Sequence, residues 1–127
     1  MKVLLDTNVL IMLVQGGTRL PRSIAVLLAD HDTQMFVSVV SLWEIAIKYR
    51  LKKLTLPRGP DAIAEGLAAI RIAPLSLHRK YAVADADLPP TVKDPFDRMI
   101  VAIAEIEGWT LLTTDTVLLD HPLAWRP

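Results

Sequence analysis

With 127 residues, the chain is expected to form one domain, able to bury roughly two thirds of its unfolded surface. Apolar residues make up 52% and charged residues 22%, which excludes intrinsic disorder, and the balance of 14 basic against 14 acidic residues excludes a globally basic nucleic-acid binder, so any basic surface has to be local. There is no cysteine, which removes disulfides, thiolate zinc sites and cysteine nucleophiles and suits a reducing compartment.

The first apolar run, Val3 to Leu5, reads as a strand and leads straight into Asp6. The stretch superficially looks like a signal peptide, but Asp6 and Asn8 interrupt it and no clean small-residue cleavage site follows. A helix is predicted over 8–14, ended by Gly16-Gly17, and another over 21–31. Met35 to Val37 reads as the second strand, followed by a helix over 39–52 that carries Glu44 and ends in the basic residues Lys48, Arg50, Lys52 and Lys53. Beyond Pro57 to Pro60 come a helix over 60–69, a strand at Ile70 to Ile72 and a helix over 77–86; Pro89-Pro90 then precedes a helix over 95–107 and a strand at Thr110 to Leu112. No apolar run approaches the roughly 20 residues of a membrane helix, so a soluble, cytoplasmic protein without a membrane partner is expected.

Strands alternating with helices, each strand apolar on both faces, imply an α/β fold with a parallel sheet covered on both sides. Right-handed crossovers bring the C-terminal ends of the strands to one edge, where such folds bind ligands. Asp6 follows the first strand, Glu44 lies early in the helix after the second, and Asp115 follows the last; these three meet at that edge. Asp97, near the start of DPFDRMIVAIAEIEG, joins them only if its helix begins there, and a helix leading into the strand at 110 is expected to start at the opposite edge.

Each acid also has an ordinary structural reading. Asp6 suits an N-cap. Glu44 stands four before Lys48 and three after Ser41, the spacings of a surface ion pair and of a capping box. Asp94 suits an N-cap with Pro95 at the first helical position, which leaves Asp97 to favour the helix dipole. Asp115 suits a turn. The surroundings favour a shared role: Glu44 and Asp97 sit among apolar residues, where an ionised carboxylate is costly unless paired or metal-bound. Carboxylates gathered without cations repel by about 1 kcal/mol per pair at 4 Å even in water. Oxygen-rich acidic clusters suit Mg²⁺ or Mn²⁺.

LLDTNVL, SLWEIAIK, DPFDRMIVAIA and LLTTD, in that order and spacing, resemble the VapC-type PIN-domain ribonucleases, the toxin halves of bacterial toxin–antitoxin pairs. The resemblance covers essentially the whole chain and implies a PIN-like α/β/α sandwich with a central parallel sheet. It implies that Asp6, Glu44, Asp97 and Asp115 form the catalytic, metal-binding set, with Asn8, Ser41 and Thr113 as supporting polar residues. Where related sequences often carry His before the DPFDR stretch, this chain has Lys93.

The chemistry that follows is hydrolysis of RNA phosphodiester bonds, assisted by one or two Mg²⁺ or Mn²⁺ ions; RNA as the substrate rests on the resemblance. Lys48, Arg50, Lys52, Lys53 and Arg98 are candidates for RNA contact, and His31, His78 and His121 read as structural. The resemblance also implies an antitoxin partner and a homodimer, with Trp43, Tyr49 and Leu51 as candidates for the antitoxin groove and core burial as their ordinary fate. Two alternatives stand beside this reading: a phosphate-handling hydrolase with Asp6 as nucleophile, and a non-catalytic binding module of the same fold.

Overall fold

The computed structural model describes residues 1–127, the side chain of Ala86 excepted. Four parallel strands, β1 (Lys2–Leu5), β2 (Gln34–Ser38), β3 (Ile72–Leu75) and β4 (Thr110–Leu112), form one sheet in the order β3-β2-β1-β4. The two-residue period of a strand sorts the core. Val3, Leu5, Met35, Val37 and Leu112 enter one apolar cluster, while Leu4, Phe36 and Leu111 face the other. Against the first cluster pack α1 (Thr7–Val14), α2 (Arg22–Ala29), α4 (Gly59–Gly66) and Ile45 of α3 (Val39–Arg50); against the second pack α5 (Arg79–Ala84), α6 (Pro95–Glu107) and α7 (Thr116–Leu119). The result is the expected α/β/α sandwich.

Several elements differ from the sequence reading for identifiable reasons. The strand expected at 70–72 lies at Ile72–Leu75, because Arg71 takes a left-handed φ of 60°. The Ile72 amide there reaches back to the Leu67 carbonyl and closes a single 3-10 turn. Pro74 is tolerated within β3 because β3 is the edge strand, and the exposed Ala73 and Pro74 show that this strand, though apolar throughout, is not covered on both faces. Likewise α3 stops at Arg50 rather than 52, since Lys52 adopts a φ of 58° and the Lys53 amide closes onto the Lys48 carbonyl. The short α7 was not expected at all. On the far side of β4 the tail pairs with Leu111, accepting its amide at Leu123 and donating from Trp125, which covers that sheet edge.

The geometry that matters for the site is the direction of α6. Only Gly108 and Trp109 separate its end from β4, so the helix must finish at the edge where β4 begins. It therefore runs antiparallel to the strand and starts at the edge where the strands end. The expectation that Asp97 would lie at the opposite edge is overturned: any helix that feeds a parallel strand begins beside that strand's C-terminal end. Asp94 caps α6 as expected, accepting the amides of Phe96 and Asp97 at 2.8 and 3.1 Å, with Pro95 behind it. Among the described residues no helix is long and apolar enough to cross a membrane. Asp94→Ala, which removes both cap bonds, should cost about 1 kcal/mol in urea unfolding; an unchanged midpoint would show that the cap is not what fixes the start of α6.

Candidate active site

The strand order places β2 on one side of β1 and β4 on the other, so the chain leaves the ends of β1 and β4 in opposite directions. Open α/β sheets bind their ligands at such a switch point. Asp6 stands at the end of β1 and is 2% exposed. It occupies the N-cap position of α1 but makes no side-chain cap bond; instead its Oδ2 accepts the Thr113 hydroxyl at 2.8 Å. The Thr113 oxygen in turn accepts the Asp115 amide at 3.0 Å, so one hydroxyl ties together the two strand ends that carry acids. Burial raises the pKa of Asp6 most strongly. The bonds from Thr113 and the Thr7 amide partly offset this, and the nearby charges of Glu44 and Asp115 add to the rise.

Glu44, in the second turn of α3, is 9% exposed. Its Oε2 meets Lys48 Nζ at 3.1 Å, so the expected ion pair forms. Its Oε1 is buried without a hydrogen-bond partner among the described residues, an arrangement that native structures rarely tolerate without a reason. The capping-box reading of Glu44 fails, because the cap of α3 is Ser38, which accepts the Val40 amide. Ser41 is instead buried and accepts the Thr7 hydroxyl at 2.9 Å, pinning α3 to α1 beneath the acids. Thr7 is the residue that sequence reasoning missed, although its place between Asp6 and Asn8 was a signal that could have found it.

Asp97 lies half-buried in the first turn of α6, and its pKa is raised from the usual 3.8 to about 7. Burial is the largest cause, followed by the charges of Asp6, Asp94, Asp115 and Glu44. Asp115 caps α7, its Oδ1 accepting the Val117 amide at 2.8 Å. The four acids named from the sequence thus stand close enough for their charges to act on one another. Asn8 is exposed at the start of α1.

These residues fit a hard divalent cation by the chemistry of their donors: an orphaned buried carboxylate oxygen, two acids with raised pKa values, and oxygen ligands only. Among the described residues no three acidic or imidazole groups stand close enough to grip one ion directly.

The basic candidates divide. Arg98 directs all five of its guanidinium hydrogens at the segment before α6: the Asp85 carboxylate and the carbonyls of Asp85, Leu88, Pro89 and Val92. These bonds tie the segment at residues 85–92 to α6. Lys48 is engaged by Glu44. Arg50, Lys52 and Lys53 are exposed at the far end of α3. At 1.5 Å per residue, Arg50 lies about 9 Å along the axis from Glu44. A cleft of about 480 Å³ there is lined by Tyr49, Arg50, Lys52 and Leu54. The histidines lie away from the acids: His31 bonds Arg71, His121 bonds Glu105, and His78 packs edge-on to Tyr81.

Trp43, Tyr49 and Leu51 are exposed rather than buried. A larger apolar cleft of about 590 Å³, unseen in the sequence, opens between the end of α1 and α4 and is lined by Leu13, Val14, Leu56, Pro57, Ile63 and Ile70. It is assembled from segments distant in sequence, so no local pattern announces it.

The sequence profile of the PIN domain matches residues 3–122. No curated protein is similar to the chain in sequence. Among solved structures it resembles a toxin–antitoxin complex from Klebsiella pneumoniae, with a TM-score of 0.70 and 19% identity over 98% of this chain and 96% of that one. It also resembles DNA-bound VapBC from Salmonella typhimurium, with a TM-score of 0.69 and 23% identity over 98% and 95%. At these identities the likeness concerns the fold.

The acid cluster makes a pH prediction. Folded Asp97 holds its proton up to about pH 7, whereas the unfolded carboxyl releases it near 3.8. Its contribution therefore lowers the stability of metal-free protein as pH rises through that window, with no further loss above it. In EDTA, Asp97→Asn should remove part of the fall in melting temperature between about pH 5 and 8; identical wild-type and variant profiles would show that Asp97 is not crowded by charge.

Proposed function

The chain belongs to the PIN-domain family, and from that premise we propose that it is a divalent-metal-dependent endoribonuclease, the toxin of a toxin–antitoxin pair. The observation that carries the reading is the meeting of Asp6, Glu44, Asp97 and Asp115 at the switch point of the sheet, with a partnerless buried oxygen on Glu44. The resemblance of the whole chain to toxin–antitoxin structures supports it.

In this reading Asp6 is the central ligand for Mg²⁺ or Mn²⁺, fixed in orientation by Thr113 and by the Thr7–Ser41 bond beneath it. Glu44, Asp97 and Asp115 complete the set, partly through water, and Asn8 lines the mouth. A divalent ion bound there supplies neutralisation of the phosphate charge and a more acidic water. The protein's own contribution is to hold acidic oxygens where repulsion is relieved only by a cation. No histidine stands by as a general base. Asp6 as a nucleophile is disfavoured, since a carboxylate that is 2% exposed offers a phosphorus atom little approach. Arg50, Lys52 and Lys53 form a remote track for the RNA backbone, and the apolar cleft between α1 and α4 is the seat we assign to an antitoxin segment. The active form is proposed to be a homodimer.

Millimolar Mn²⁺ should raise the melting temperature by mass action and support cleavage of RNA, as should Mg²⁺, while Ca²⁺, which tolerates looser geometry, should bind without supporting it. Asp97→Asn should cut RNA slower by orders of magnitude and shrink the Mn²⁺ stabilisation. Equal melting curves in EDTA and Mn²⁺ would count heavily against the site. Replacing Lys52 and Lys53 with Ala should weaken RNA binding for all sequences and flatten the plot of log affinity against log salt by roughly 1 to 1.5; an unchanged slope moves the track elsewhere. Ile70→Glu, at the rim of the apolar cleft, should weaken antitoxin binding at least tenfold in calorimetry while leaving Mn²⁺ stabilisation intact, and undiminished affinity would place the antitoxin on another face.

A further inference from the structure

Trp43 is 62% exposed, although an indole is among the side chains with most apolar area to bury. Its neighbours on α3 face inward: Leu42 packs against the core, Glu44 is buried at the acid cluster and Ile45 is buried in the core. Trp43 instead meets Phe96, half-buried in the first turn of α6, with ring centroids 5.4 Å apart and planes 68° apart. The pair closes the solvent end of the seam between α3 and α6. In each helix the residue that follows the aromatic ring is an acid of the cluster, Glu44 after Trp43 and Asp97 after Phe96. Phe96 can cover at most one face of the indole, and among the described residues no cation covers the other.

The electrostatics of the seam add a second reason. The basic residues nearest the acids in the helices, Lys48 and Arg98, are engaged by Glu44 and by the 85–92 segment. The exposed Lys93, two residues before α6, makes no ion pair among the described residues and is the cation left near this end to meet a phosphate. Aromatic faces hold single-stranded nucleic acid by another route, because every base has a π-face that stacks.

We propose that Trp43, backed edge-to-face by Phe96, is a stacking platform for the nucleobase next to the scissile phosphate of a single-stranded RNA. This rests on the ribonuclease reading above and deepens it. The platform sets where along the strand the phosphodiester meets the acids, and it accepts any base, with larger purine faces held more firmly than pyrimidines.

The test uses the full chain as wild type, Trp43→Leu and Trp43→Phe, with a short single-stranded RNA and the same RNA carrying abasic sites around the cleavage position. Since Trp43 is exposed, its truncation leaves no cavity, and equal melting temperatures check this. In Mn²⁺, Trp43→Leu should raise KM about tenfold or more on intact RNA, Trp43→Phe should restore most of the loss, and wild type and Trp43→Leu should coincide on abasic RNA. Binding measured in Ca²⁺ by quenching of Trp fluorescence separates this proposal from the activity itself. If wild type cuts no RNA, the ribonuclease reading fails; if it still binds intact RNA more tightly than abasic RNA and its indole emission is quenched, the platform stands. An unchanged KM for Trp43→Leu, or an equal loss on abasic RNA, overturns the platform. So does a shift of Trp43→Leu from dimer to monomer in sedimentation, which would make this face a contact between copies of the chain.

Discussion

A carboxylate at the end of a central strand, shut away from water with the Thr113 hydroxyl and the Thr7 amide as partners and no paired cation among the described residues, is the constraint around which this molecule is arranged. Asp6 is kept in place by Thr113, and Thr113 is kept in place by the Asp115 amide, so the first strand and the last are joined at the one point where both carry acids. Burial makes the charge on Asp6 costly, and the protein offers no basic side chain in return. Glu44 leaves an oxygen without a partner among the described residues, and Asp97 is pushed toward neutrality by burial first and then by the acids around it. Carboxylates crowded in this way repel one another, and that repulsion is what the proposed metal ion would relieve.

The scaffold serves that constraint through direction more than through detail. Because every strand is parallel, a helix that directly follows a strand, as α1 and α3 do, or directly feeds one, as α6 does, starts at the edge where the strands end. Arg98 adds to this by gathering the loop before α6 with its five donors, which fixes the approach to Asp94 and hence the position of Asp97. A chain of zero formal charge thus engages the cations Lys48 and Arg98 with its own carboxylates and carbonyls, while Arg50, Lys52 and Lys53 stay exposed at the far end of α3.

The sequence by itself determined the alternation of strand and helix, the parallel sheet and the identity of the acids. These signals are local: an apolar run of fixed length, a Pro after an N-capping Asp, an acid directly after a strand. The helix over 95–107 and the strand over 110–112 were legible to the residue because a cap and a left-handed glycine at Gly108 mark their ends. The end of α3 and the start of β3 were not, since Lys52 and Arg71 take a left-handed conformation that their residue types do not announce. Only the tertiary structure decided which way α6 points, that Asp6 answers to Thr113 across 107 positions of chain, that Thr7 supports Ser41, and that Trp43 lies in solvent against Phe96. Each of these depends on two segments distant in sequence meeting in space. Local propensity carries no record of that meeting, because the packing of the sheet between its two layers of helices creates it.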